Sequence, residues 1–164
     1  MSDATTPAAL PGPGPEHQVF AKDVGTWDAE IEIRFAPGAS PERQKGTARN
    51  RLACGGLWLV SDFVSETSGF EGHGVYGFDP ARGKYVGTWV DSARSFLVVS
   101  EGSYDAASRI MTFTTEATIA PGRSMRWRET TETLDADTQV WRSFMPAPDG
   151  SEFEMMTVTY RRRR

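Results

Sequence analysis

From Thr26 onward, hydrophobic and polar residues take turns. In "TWDAEIEIRF", residues 26–35, Trp27, Ala29, Ile31, Ile33 and Phe35 share one side, and Asp28, Glu30, Glu32 and Arg34 share the other. A period of two is that of an extended strand with one wet face. The design recurs in "TARNRLAC", "LWLVSDFVSE", "GHGVYGF", "KYVGTWVD", "FLVVSEGSY", "RIMTFTTEAT", "SMRWRETTETL", "QVWRSFMP" and "EFEMMTVTYRR". Between the later segments stand "DPARG", "DSARS", "DAASR", "APGR", "DADT" and "APDGS", whose Asp, Pro, Gly and Ser suit hairpin turns. "PGASPERQKG" reads as a connection, and the glycine pair at 55–56 as a tight turn.

Short turns make sequence neighbours pair antiparallel and leave no room for crossover helices. An open meander of about ten strands would leave two long edges, and closing it removes both. The pattern therefore predicts an all-β protein: an antiparallel up-and-down β-barrel of about ten strands. Ahead of it, "PEHQVFAKDVG" predicts a short helix, with Pro15 in the first turn, Glu16 at the positive end of the dipole and Gly25 as the stop. Residues 1–14 are Pro-, Gly- and Ala-rich without periodicity, which predicts a disordered or extended arm before a domain at 15–164.

The stretch "FEGHGVYGFDPARGKYVGTWVDS", residues 70–92, is unusual for strands. Gly72, Gly74, Gly77 and Gly87 alternate with Tyr76, Phe78, Tyr85 and Trp89. Glycine inside a strand marks a bend or a place where another group comes close to the backbone. Here it predicts reduced side-chain volume, and hence space, beside large aromatic rings.

These residues also carry a resemblance. "EHQVFAKDVGTWDAEIEI", "GHGVYGFDPARGKYVGTWVDS" and "SEGSYD" resemble the bacterial DUF1579 family of uncharacterised proteins, from about Glu16 to the C-terminus. The family is grouped with calycin-type barrels such as lipocalins and fatty-acid-binding proteins, and Gly-Thr-Trp in the first strand is similar to the Gly-x-Trp start of lipocalins. The resemblance implies a calycin-like barrel and brings no activity.

Charge narrows the partners. The 164 residues carry 18 Lys+Arg and 22 Asp+Glu, a net charge of −4. An acidic domain lacks the net basic face that nucleic acid requires, and the C-terminal run of arginines reads as a solvated tail. No apolar run is long enough for a membrane helix. The single cysteine, Cys54, excludes an internal disulfide, and no basic-then-apolar leader is visible, so a cytoplasmic protein is expected. Two distant histidines and no Cys/His cluster predict no metal site, and no cofactor motif appears.

The candidate chemistry is thin. Cys54 reads as a small apolar core residue in a strand. Arg126 and Arg128 share the wet face with Glu132 by alternation. Trp27, Phe63, His73, Tyr76, Trp89, Trp127 and Phe144 are expected to line the interior, with Asp91 and Glu129 as polar handles because each shares a face with aromatic residues. Trp141, Met111, Met125, Met145, Met155 and Met156 add apolar bulk on the later strands. The expected function is non-catalytic binding of a small hydrophobic or amphipathic molecule inside the barrel. Three alternatives remain open. One is an enzyme of isomerase, cyclase or hydrolase type, with His73 as base and Asp91 or Glu129 as acid. Another is haem held by His73, as nitrobindin-type calycin barrels hold it by a histidine. The third is a homodimeric interaction module with a filled barrel.

Overall fold

The computed structural model describes residues 12–164. Most of the arm expected at 1–14 lies outside these residues. A 3-10 turn, Pro15–His17, runs into a single helical turn, α1 (Gln18–Ala21). Ten strands follow: β1 (Gly25–Ile33), β2 (Glu42–Ala53), β3 (Trp58–Ser65), β4 (Glu71–Asp79), β5 (Lys84–Asp91), β6 (Arg94–Asp105), β7 (Ile110–Ala120), β8 (Arg123–Thr133), β9 (Thr138–Pro146) and β10 (Glu152–Arg162). Every strand pairs antiparallel with its sequence neighbours, and β1 pairs with β10, from Trp27 opposite Arg162 to Ile33 opposite Met156. The meander closes, so no strand is left as an edge.

Alternation decides what faces inward. On β1, Trp27, Ala29 and Ile31 are buried while Asp28 and Glu30 are exposed. They join Ala48, Phe63 and Val158 in one apolar cluster. A second cluster, Leu59, Tyr85, Met111 and Phe113, is built across β3, β5 and β7 and takes in Phe20 from α1. Phe20 meets the Tyr85 ring edge-on at 5.6 Å, and the Tyr85 hydroxyl donates to the Glu16 carbonyl at 3.2 Å. The helical segment is thereby fixed across the barrel end where β1 begins. Among the described residues, the opposite end carries only the turns between strands.

Four local expectations are corrected. Phe35 is not an inward residue: β1 stops at Ile33, and Phe35 is 70% exposed on the following turn. The connection before β2 is shorter than expected, because Glu42 already pairs with Ile33. Cys54 is not a core residue. It sits exposed in a 3-10 turn, Cys54–Gly56, with a positive φ of 51°. The C-terminal arginines are not a free tail. The Arg162 guanidinium lies 4.1 Å from the centre of the Trp27 ring and donates to the carbonyls of Lys22, Val24 and Ala136, Arg163 pairs with Asp28, and Arg164 pairs with Asp137.

Candidate functional site: the barrel cavity

The strand interior encloses a cavity of about 460 Å³, within the range of about 300–1,000 Å³ usual for small-molecule sites. Its walls are mostly apolar and aromatic, so a guest of similar character would be freed from water at about 25 cal/mol for each Å² buried. The space is not where the glycines alone would leave it. A Cβ on Gly72 would lie 1.9 Å from the Trp89 ring, and one on Gly87 would lie 2.3 Å from the Tyr76 ring. The missing side chains are replaced by those two rings, which then form cavity wall. Gly77 makes the same allowance for Trp58.

Seven of the nine expected lining residues face the cavity: Trp27, Phe63, Tyr76, Trp89, Asp91, Trp127 and Glu129. His73 and Phe144 do not. On β4 the even positions Gly72, Gly74 and Tyr76 turn inward, so His73 turns out. Its Nδ1 is 2.6 Å from Asp62 Oδ1, and its side chain is 46% exposed. Phe144 lies on the outer face of β9 beneath the Arg128 guanidinium, 3.9 Å from its ring centre. Arg128 in turn pairs with Glu152, and Arg126 pairs with Glu116, both on the wet face.

The catalytic combination expected of His73 with Asp91 or Glu129 is not assembled. His73 is outside the barrel, and the two carboxylates have other partners. Haem through His73 fails for the same reason: neither that ring nor His17 lines the cavity. His17 is buried in the helical segment, where its Nδ1 accepts the Gly14 N–H at 3.0 Å. Among the described residues, no group of three or more His, Cys, Asp or Glu side chains is placed to hold a metal ion.

Polar groups stand at three levels of the cavity. At the turn end, Asp91 accepts from Trp89 Nε1 at 3.2 Å and pairs with Arg94 at 3.3 Å, and its side chain is only 3% exposed. Midway down, Glu129 accepts from Trp127 Nε1 at 2.7 Å, with the Thr115 and Trp141 side chains also in reach. Burial pushes its carboxyl above the usual range, and these donors only partly offset that. Tyr76 and Tyr160 face the same level. Burial raises both phenols, and the nearby Glu129 charge raises them further. Under the helix, the Asp23 carboxyl is enclosed beside Gln139. Burial lifts it to about 6, against the hydrogen bond from Gln139 and the charges of Lys22 and Arg162.

Sequence reasoning did not name Asp23, Arg94 or Tyr160 as wall residues, and counted Trp141 only as apolar bulk on the later strands. Tyr160 and Trp141 were findable, since Tyr160 shares parity with Val158, and Trp141 with Gln139 and Ser143. Asp23 lies between helix and strand, where no period applies. Met155 and Met156 both face the cavity although adjacent, because a bulge interrupts the β10–β9 register between Glu154 and Met156.

The family profile described as "Protein of unknown function (DUF1579)" matches residues 12–162, nearly the whole chain. The chain belongs to the DUF1579 family. Its barrel is similar to the crystal structure of Rv2717c from M. tuberculosis, with a TM-score of 0.68 and 13% identity, over 92% of this chain and 99% of that one. At that identity the likeness is one of fold. Two further solved structures align less well. A redesigned β-barrel gives a TM-score of 0.38 at 10% identity, over 94% of this chain and 100% of that one. A DUF3598-family protein of unknown function from Nostoc punctiforme gives 0.28 at 8% identity, over 92% and 100%. No curated protein matches this DUF1579 chain.

Proposed function

We propose that this DUF1579 protein binds a small, largely apolar molecule inside its barrel. What carries the reading is the cavity itself: about 460 Å³ of space among Trp27, Trp89, Trp127 and Trp141, with a wall that is mostly apolar and carries polar side chains interspersed along it. A barrel serving only as a rigid scaffold gains nothing from such a space, because unfilled volume forfeits packing contacts. The site supports binding better than acid–base turnover. Asp91 is tied to Arg94, Glu129 has no histidine beside it, and the described histidines stand elsewhere.

A titration with Nile red, a neutral apolar dye, tests the reading. Saturable binding with quenching of tryptophan emission is expected. Ser61 lines the wall with a small side chain, and Ser61→Phe adds a ring to the space. That variant should bind the dye at least about tenfold more weakly, since an occupied apolar site excludes its guest. Dye binding that is unchanged in Ser61→Phe would place the dye on the outer surface and remove the support for an internal site.

A further inference from the structure

Resting on that reading, we infer that the molecule held in the barrel carries a basic amine, and that its ammonium group sits against Glu129. Among the described residues, the cavity wall contains two cationic and three acidic side chains: Lys22, Arg94, Asp23, Asp91 and Glu129. Both cations are already engaged. Arg94 pairs with Asp91, and Lys22 Nζ donates to the Tyr104 hydroxyl at 2.9 Å while lying 4.8 Å from that ring's centre. Asp23 is held by Gln139 within the electrostatic reach of Lys22 and Arg162. Glu129 alone among the three has no cationic partner.

The groups around Glu129 are hydrogen-bond donors. Trp127 Nε1 donates at 2.7 Å, and the Thr115 and Trp141 side chains are in reach. The Trp127 donor suits a carboxylate; without a countercharge, burial favours the acid, whose O–H has the Tyr76 and Tyr160 oxygens beside it as acceptors. A carboxylate buried without a countercharge is costly, and a cation placed against it removes that cost. Among the described residues none supplies such a cation, and the cavity leaves room for one from outside. Tyr76 and Tyr160 complete the arrangement. Their hydroxyls make no hydrogen bond to another described residue, and both feel the Glu129 charge. An ammonium has three N–H donors. One carboxylate and two phenol oxygens at the same level offer three acceptors. An anionic head group at this level would instead meet the charge of Glu129, and a neutral one would leave that charge uncompensated.

Three probes with one indole body and different head groups decide the matter: tryptamine, tryptophol and indoleacetate, compared by calorimetry near neutral pH. Alkyl amines remain protonated there, with a pKa of about 10.4 for the lysine amine. Tryptamine should bind at least about tenfold more tightly than tryptophol, the ratio expected for a hydrogen bond to a charged group, and indoleacetate should bind most weakly. Glu129→Gln keeps the size and removes the charge. In that variant tryptamine and tryptophol should come within about twofold of each other, and circular dichroism will report whether the barrel is retained. Tryptophol binding as tightly as tryptamine to the unaltered protein would overturn the amine inference and leave the apolar site standing. A tryptamine preference that survives Glu129→Gln would overturn it as well. If none of the three binds, the amine inference falls, while the Nile red titration decides the internal site independently.

Discussion

Asp23 shows how one enclosed carboxyl ties the fold to pH. Its backbone carbonyl accepts from Trp27 Nε1 at 2.8 Å and from the Asn50 side chain at 3.0 Å, while its carboxyl faces Gln139. The folded protein holds the Asp23 proton more tightly than an unfolded chain would, with a pKa of about 6 against 3.8. Such a group supports the fold fully below the unfolded value and loses that support as the pH rises through about 6. The span corresponds to at most about 3 kcal/mol. Asp23→Asn keeps the shape and removes the titration. Relative to the unaltered protein, its melting temperature should therefore improve between about pH 4 and pH 7. Buried Glu129 acts in the same direction, so some pH dependence will remain. If the melting-temperature difference between the two proteins is the same at both pH values, Asp23 does not titrate in this range.

At the scale of elements, β4 and β5 work as a fitted pair. Gly72 stands opposite Asp91 in the register, and the Trp89 ring on the neighbouring strand folds over the Gly72 backbone. The glycine belongs there because any Cβ would meet the ring at 1.9 Å. Gly72→Ala should cost about 1–3 kcal/mol in urea unfolding, the usual range for forcing extra volume into a packed region. In a Trp89→Leu background the same change should cost much less, a coupling that a double-mutant cycle measures. Equal costs in the two backgrounds would mean that the ring does not depend on the glycine. The glycine–aromatic alternation was legible in the sequence, and the aromatics were expected to fill or line the space the glycines leave. Which ring fills which gap follows only from the strand register, which sets Trp89 over Gly72 and Tyr76 over Gly87.

For the whole molecule, the decisive event is closure between β1 and β10, which brings Arg162 to Trp27 across almost the full chain length. The guanidinium covers a ring that is 1% exposed and joins the helical segment, through Lys22 and Val24, to the last strand. Arg162→Ala should destabilise the barrel by about 2–4 kcal/mol, from lost charge-assisted hydrogen bonds and ring stacking. Arg162→Lys should restore only part of this, because one ammonium cannot reproduce a planar fork of donors. A loss in Arg162→Ala no larger than that of an ordinary exposed residue, about 0.5 kcal/mol, would show that closure does not rely on this contact.

The sequence by itself determined the strands, their number and their meandering order. These follow from period-two alternation and from turn residues, both local properties of the backbone. It also determined the inward face wherever alternation was strict, as from Trp27 to Ile31 and around Trp127 and Glu129. It could not orient "GHGVYGF", where glycines supply no hydrophobic signal, and so His73 was expected on the wrong side. Phe144 was expected inside for a different reason: Val140 and Phe144 on one parity and Trp141 and Met145 on the other put apolar side chains on both faces of that strand. Only the tertiary structure decided that the terminal arginines are anchored, because Trp27, Lys22 and Ala136 reach them from distant parts of the chain. Only the tertiary structure gave Glu129 its character. The sequence placed it on the Trp127 face as a polar handle, but could not show which groups surround it. Closure turns the neighbouring Arg128 outward to Glu152 and leaves Glu129 facing Tyr76 and Tyr160, where burial works against its charge.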